Sequence, residues 1–178
     1  MRKRKYFVYA AVMLVLVRFC LSAPALTEMK NTLCFVDSAN VLSEATKMEI
    51  YNSNRKLSKL CDAQIAVVVL EDIADGNIGK YALGMGDLWG VGENGFLLLL
   101  TISNNDYHAY TGEGLAKIFP ESTLQEMFSE HLEPNLFEGD YDAAVRGFFE
   151  DAFVRVARHY DLEIVPSGRE ETESNEMK

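Results

Sequence analysis

Two short, uninterrupted apolar runs constrain this chain more than any other feature: Ile65-Ala66-Val67-Val68-Val69-Leu70 and Phe96-Leu97-Leu98-Leu99-Leu100-Thr101-Ile102. Neither alternates apolar with polar residues, so neither suits a sheet with one face in water. Both read as strands buried on both sides, the pattern of a sheet wrapped by helices. Asn77 to Leu88, between them, reads as a helix, and strands separated by helices build an open α/β sheet. The expected fold is α/β: a three-layer α/β/α sandwich, with a Rossmann-like open mixed sheet and helices on both faces.

The run Trp89-Gly90-Val91-Gly92-Glu93-Asn94-Gly95 joins that helix to the second strand. Its glycines have the spacing G-x-G-x-x-G, which in a dinucleotide site follows a strand and opens a helix. Here a helix comes before and a strand after, so no helix N-terminus faces the loop to hold phosphate. Nucleotide binding is therefore not expected.

The other elements follow from caps and periodicity. Ser43 is placed as the N-cap of a helix reaching about Leu60, with Ile50, Leu57 and Leu60 as a thin apolar face. Ser103 to Asp106 is a hairpin turn leading to a third strand, Tyr107 to Thr111, at or near an edge. A short turn of helix, Leu115 to Phe119, precedes a helix opening at Pro120, and Pro134 is expected to interrupt it. The last helix, Tyr141 to Tyr160, carries the clearest stripe: Val145, Phe149, Ala152, Phe153, Val156 and Tyr160.

Arg2, Lys3, Arg4 and Lys5, then apolar Tyr6 to Val17, then Ala23-Pro24-Ala25 have the layout of an export signal, so residues 1–25 are assigned to it. The apolar run is shorter than the roughly 20 residues that span a bilayer. Residues 26–164 form the domain and 165–178 an acidic, solvated tail. An extracytoplasmic protein is expected, secreted or held at a membrane by its N-terminal segment. Removing the signal takes the formal charge from −10 to about −15, which excludes nucleic acid and anionic lipid as partners. A monomer is the expected state.

Cys34 and Cys61 survive cleavage, and in an oxidising compartment such a pair reads as a disulfide. The helix ending at Cys61 spans about 28 Å, and the extended chain from Cys34 to Leu42 reaches about as far. A bridge thus requires the N-terminal segment to run back along the helix; two buried free thiols satisfy the sequence equally. There is no C-x-x-C to suggest a redox centre.

Five ordered blocks carry a family resemblance: Val36-Asp37-Ser38-Ala39-Asn40-Val41-Leu42-Ser43; Ala63-Gln64-Ile65-Ala66-Val67-Val68; Trp89-Gly90-Val91-Gly92 with Asn94-Gly95; Thr111-Gly112-Glu113-Gly114-Leu115; and Pro134 with Phe137-Glu138-Gly139-Asp140-Tyr141. They resemble the TPM domain, found in a thylakoid-lumen phosphatase, a photosystem repair protein, a levamisole-receptor modulator and many exported bacterial proteins. Two departures stand out. Only Glu93 separates Gly92 from Asn94, where members commonly have a longer loop, and the transmembrane helix and glycine-rich tail of many bacterial members are not among these residues.

The resemblance implies a divalent-cation site, phosphatase activity for some members, and a role beside membrane-protein complexes. Acids are the reactive type repeated through the blocks, and several carboxylates with carbonyls suit calcium or magnesium. The candidate ligands are Asp37, Glu113 and Asp140, with Glu93, Asn94 and Asp142 as weaker donors. Each also has a structural reading: Asp37 as a turn cap, Asp140 as the N-cap of the last helix, Glu113 as a solvated loop acid. No G-x-S-x-G elbow accompanies His108, His131 and His159. A phosphatase would have to be metal-assisted, and no basic phosphate clamp is evident.

Overall fold

The computed structural model describes residues 34–73 and 76–168. The expected signal, residues 1–25, and most of the expected tail lie outside the described residues. The elements are β1 (Phe35–Asp37), α1 (Glu44–Cys61), β2 (Gln64–Leu70), α2 (Ile78–Trp89), β3 (Gly95–Thr101) and β4 (Asp106–Thr111). Then come α3 (Glu121–Met127), a π-turn (Phe128–Leu132), α4 (Glu133–Glu138) and α5 (Tyr141–His159).

The sheet order is β1-β2-β3-β4, with the first three strands parallel and β4 antiparallel to β3. Helices cover both faces, as an open mixed α/β sheet requires. Ile65, Val67, Val69, Phe96, Leu98 and Leu100 pack with α1 and α5, whereas Ala66, Val68, Leu97 and Leu99 pack with α2. The predicted stripe of α5 is the core itself: Val145, Phe149, Ala152, Phe153 and Val156 are all at most 1% exposed. Phe148 joins them, stacked on Phe128 at 5.4 Å and tilted against Phe96 at 5.9 Å. Among the described residues no helix is long and apolar enough to cross a membrane.

The steps from β1 to β2 and from β2 to β3 cross the sheet in one direction, yet α1 and α2 lie on opposite faces. The two crossovers therefore have opposite hands, and one of them departs from the right-handed rule.

Three features were not foreseen. The first is β1, which at three residues is too short to show a strand period and pairs only with Val67 to Val69. Beside it, the outer backbone of Ile65 is bonded instead by a side chain. Asn54 of α1 accepts from Ile65 N at 2.8 Å and donates to the Ile65 and Ile50 carbonyls, each at 2.9 Å. The second is at Pro134, where the helix widens rather than stopping. Proline has no N–H for the carbonyl four residues back and its ring crowds that carbonyl; the π-turn falls just before it, so α3 runs into α4 without a break. The third is the start of the expected tail, which docks on α1. Ser167 N donates to Ser53 Oγ at 3.0 Å and Lys56 Nζ to the Val165 carbonyl at 3.1 Å.

Candidate functional site

β1 leaves its carboxyl end toward α1 on one face, and β2 leaves toward α2 on the other. The point where successive connections diverge is where open α/β sheets take ligands. That crevice lies between Asp37-Ser38 and Glu71-Asp72, beside the Ser103–Asp106 hairpin. Three helices begin at this edge. Ser43 Oγ accepts from Thr46 N at 3.2 Å at the start of α1, and Asn77 Oδ1 from Lys80 N at 2.9 Å at the start of α2. Asp140 Oδ1 accepts from Ala143 N at 3.0 Å at the start of α5. The positive ends of three helix dipoles thus share this edge with the carboxylates of Asp37, Glu71, Asp72, Asp106, Asp140 and Asp142.

Most of these acids hold backbone. Asp37, with its side chain 2% exposed, accepts from Val41 N at 3.1 Å and Leu42 N at 3.0 Å and pairs with Lys47 Nζ at 3.3 Å. It turns the chain from β1 into α1. Asp142 Oδ1 accepts from Ser43 N at 2.7 Å, tying α5 to the head of α1. Tyr141 OH donates to Asn105 Oδ1 at 2.9 Å, bringing the hairpin to the same corner. Asn40 and Asn105 adopt left-handed backbone, φ 54° and 50°, which asparagine tolerates better than most residues. The Asp140 cap supports a small prediction: Asp140→Ala should cost about 1 kcal/mol in denaturant titration, and Asp140→Ser should restore most of it.

The sequence candidates divide between two edges. Asp37 and Asp140 share the carboxyl edge, and Asp142 joins them. Glu113, Glu93 and Asn94 stand at the opposite edge, because β4 returns the chain to the start of β3. Asp37 pairs with Val69 opposite Leu100, whereas Thr111 pairs with Phe96. That separation is about 13 Å along the strands and about 14 Å across them, so Glu113 cannot share an ion with Asp37. Among the described residues no three of His, Cys, Asp and Glu gather closely enough to hold a metal. Glu71, Asp72 and Asp106 were missed as neighbours of the crevice. The rule that ligands lie beyond strand carboxyl ends would have found them, since they follow or face those ends.

The glycine run forms a structural interlock. Gly90 caps α2 with φ 61°, and its N–H and that of Val91 bond back to Asp87 and Gly86. The Gly92–Asn94 turn then lies against the Gly112–Gly114 turn. Gly114 N donates to the Glu93 carbonyl at 2.9 Å, and Gln64 N to the Asn94 carbonyl at 3.2 Å. A β-carbon on Gly112 would collide with the Gly92 and Glu93 carbonyl oxygens, and one on Gly114 with Asn94 Oδ1. Two of the five sequence blocks are therefore one packed unit, in which Glu93 and Glu113 are exposed.

Cys34 and Cys61 are free thiols, one of the two readings that the sequence leaves open. The Cys34 carbonyl accepts from Val67 N at 2.9 Å, placing it beside Ala66. Asn54 is bonded to Ile65, and Cys61 lies about two turns, or about 10 Å, further along α1 toward the sheet's opposite edge. The α-carbons are thus beyond the roughly 7 Å that a disulfide spans. Burial pushes the Cys34 thiol up to about 11. Iodoacetamide should accordingly alkylate Cys61 well before Cys34 in the native protein, as read by peptide mass mapping.

The histidines and polar aromatics serve packing. The His108 ring lies over Gly79 of α2, with Cε1 3.3 Å from where a β-carbon would sit. His131 Nε2 is 3.5 Å from Asp151 Oδ2, and Arg155 Nε holds both oxygens of that carboxylate at 3.0 Å. His159 meets the Tyr160 ring edge-on at 4.8 Å. Tyr107 OH donates to Glu133 Oε1 at 2.6 Å, joining β4 to α4. Burial, then the bond to Glu133, raises the Tyr107 hydroxyl from 10.0 to about 12. A folded-state value above the unfolded one means stability fully present below pH 10 and lost as pH rises toward 12. Tyr107→Phe should remove that alkaline loss, so between pH 10 and about 12 the melting temperature of the wild type should fall more steeply than that of the variant.

Comparison with known proteins agrees with this architecture. The solved structures it resembles include the N-terminal domain of a protein from P. gingivalis, at TM-score 0.69 and 23% identity, covering 75% of this chain and 88% of that one. The BA42 protein of Bizionia argentinensis aligns at TM-score 0.56 and 16% identity, covering 73% of this chain and 88% of its own. The N-terminal domain of the cg2496 protein of Corynebacterium glutamicum aligns at TM-score 0.54 and 14% identity, covering 68% and 78%. At these identities the likeness is one of fold. No curated protein matches. The TPM domain model matches residues 35–154, spanning β1 to α5 and all five blocks, and the chain belongs to the TPM domain family.

Proposed function

We propose that this chain is a non-catalytic, extracytoplasmic module that binds a divalent cation and assists or regulates membrane-protein complexes. The observation that carries the cation half is the acidity of the sheet's carboxyl edge, which Asp140 and Asp142 at the head of α5 share with Glu71 and Asp72 after β2 and with Asp106 at the hairpin. Lys47 is engaged by Asp37 and Glu44, so this edge offers carboxylates rather than a clamp for phosphate. With no three acids grouped among the described residues, an ion there takes one or two carboxylates, backbone or asparagine carbonyls, and water. That is the manner of magnesium and of weak calcium sites.

The family resemblance and the export-type leader support the membrane half, and the engagement of His108 over Gly79, His131 with Asp151 and His159 with Tyr160 supports a non-catalytic role. The test is a melting series in calcium and in magnesium. At about ten times Kd the midpoint should rise by about 4 °C, and Asp142→Asn should lower the affinity. No shift with either ion would remove the cation from the reading. Cation-dependent hydrolysis of p-nitrophenyl phosphate would replace it with a phosphomonoesterase.

A further inference from the structure

The outer side of α2 presents an apolar stripe at positions that one helix uses to receive another. Tyr81, Gly84, Met85 and Leu88 fall at i, i+3, i+4 and i+7, along one line of the helix surface. Leu88 is 76% exposed and Tyr81 36%, while Met85 is half-buried against the sheet. Three glycines interrupt this helix. Gly79 and Gly86 are explained from within, because a β-carbon at either would press on the rings of His108 and Tyr110. Gly84 is not, since nothing lies within 4 Å of its added β-carbon. A glycine in a helix interior weakens it relative to alanine, and one on an exposed apolar line permits a close backbone approach from outside.

Among the described residues α2 alone covers this face of four strands, and Gly79 and Gly86 seat it over β4. On the β1 side Val36 is half-buried on this face of the sheet. At the carboxyl end of that half stand the exposed carboxylates of Glu71 and Asp72. A chain near −15 once the signal is removed repels a second copy of itself and an anionic bilayer alike.

We propose that the outer side of α2 receives an amphipathic helix of a partner protein, its apolar face on Tyr81, Gly84, Met85 and Leu88 and its basic end toward Glu71 and Asp72. This deepens the partner half of the proposed function and rests on it, but it needs no cation. The probe is a synthetic amphipathic helix of leucine and lysine, titrated in EDTA into the full chain, with Trp89, the single tryptophan, as reporter. Trp89 is half-buried beside Leu88, so binding should shift its emission to the blue. Gly84→Gln should keep or raise the melting temperature yet weaken binding at least tenfold, and Leu88→Glu should do the same to binding.

Equal binding by Gly84→Gln would overturn the proposal, as would equal binding of a leucine–glutamate peptide. So would sedimentation showing a dimer that Leu88→Glu dissociates, or blue-shifted emission on neutral phosphatidylcholine vesicles with none on the peptide. The cation series above reads a different property, so either reading can fail while the other stands.

Discussion

Asn54→Leu should destabilise the domain by about 4 kcal/mol, since it leaves two buried backbone groups without partners and each costs about 1–3 kcal/mol. The native carboxamide acts as a piece of strand: its oxygen receives Ile65 N–H and its nitrogen donates to the Ile65 carbonyl. β1 is too short to reach that residue, so no neighbouring backbone can take over. Asn54 is 6% exposed and Ile65 is 1% exposed, which keeps water from substituting. Leucine matches the volume, so the loss measures the hydrogen bonds rather than a cavity. Urea titration should show a lower midpoint with an unchanged slope. Asn54→Asp should recover only the acceptor half, and a loss under about 1 kcal/mol for Asn54→Leu would show that the pairing contributes little.

Gly112→Val should cost about 3 kcal/mol, the upper range for forcing atoms into a packed site. The obstacle is backbone: an added β-carbon would stand 2.8 Å from the Glu93 carbonyl carbon and nearer still to two carbonyl oxygens. Relief requires the Gly92–Asn94 turn to move, and Gln64 N and Gly114 N are both hydrogen-bonded to it. The damage should therefore extend to the start of β2. Hydrogen exchange at Gln64 and Gly114 should accelerate together in a conservative Gly112→Ala variant. Gly92→Ala is the control, because its β-carbon meets only Gly90 O at 3.7 Å and should change stability by less than about 1 kcal/mol.

Much of the architecture was legible because burial leaves a periodic trace. The two apolar runs became the central strands, and the stripe from Val145 to Val156 became the helix that covers them. β1 left no such trace, since three residues make no period and its pairing is set by β2. The π-turn was invisible for a related reason: Pro134 announces a lost hydrogen bond but not whether the helix breaks or widens. Candidate ligands fared according to topology. Asp37 and Asp140 were correctly read as residues that could cap, and both do. Glu113 was grouped with them by chemical type alone, although a hairpin after β3 already implies that the chain beyond Thr111 has returned to the other edge. The cysteines needed a register that only Asn54 and β1 reveal.

The sheet's order repeats the order of the chain, from β1 through β4. A protein synthesised from its N-terminus can therefore lay each strand against one already present, and no finished pair has to part to admit a latecomer. What comes last is the cover: Phe148, Phe149 and Phe153 of α5 close over the face formed by β2 and β3. Until those residues emerge, α1 covers only part of that face, and the Ile, Val, Leu and Phe left open are the kind of surface that associates with other chains. Assembly by addition thus trades topological ease for a vulnerable interval, and a chain interrupted before Tyr141 would remain in it.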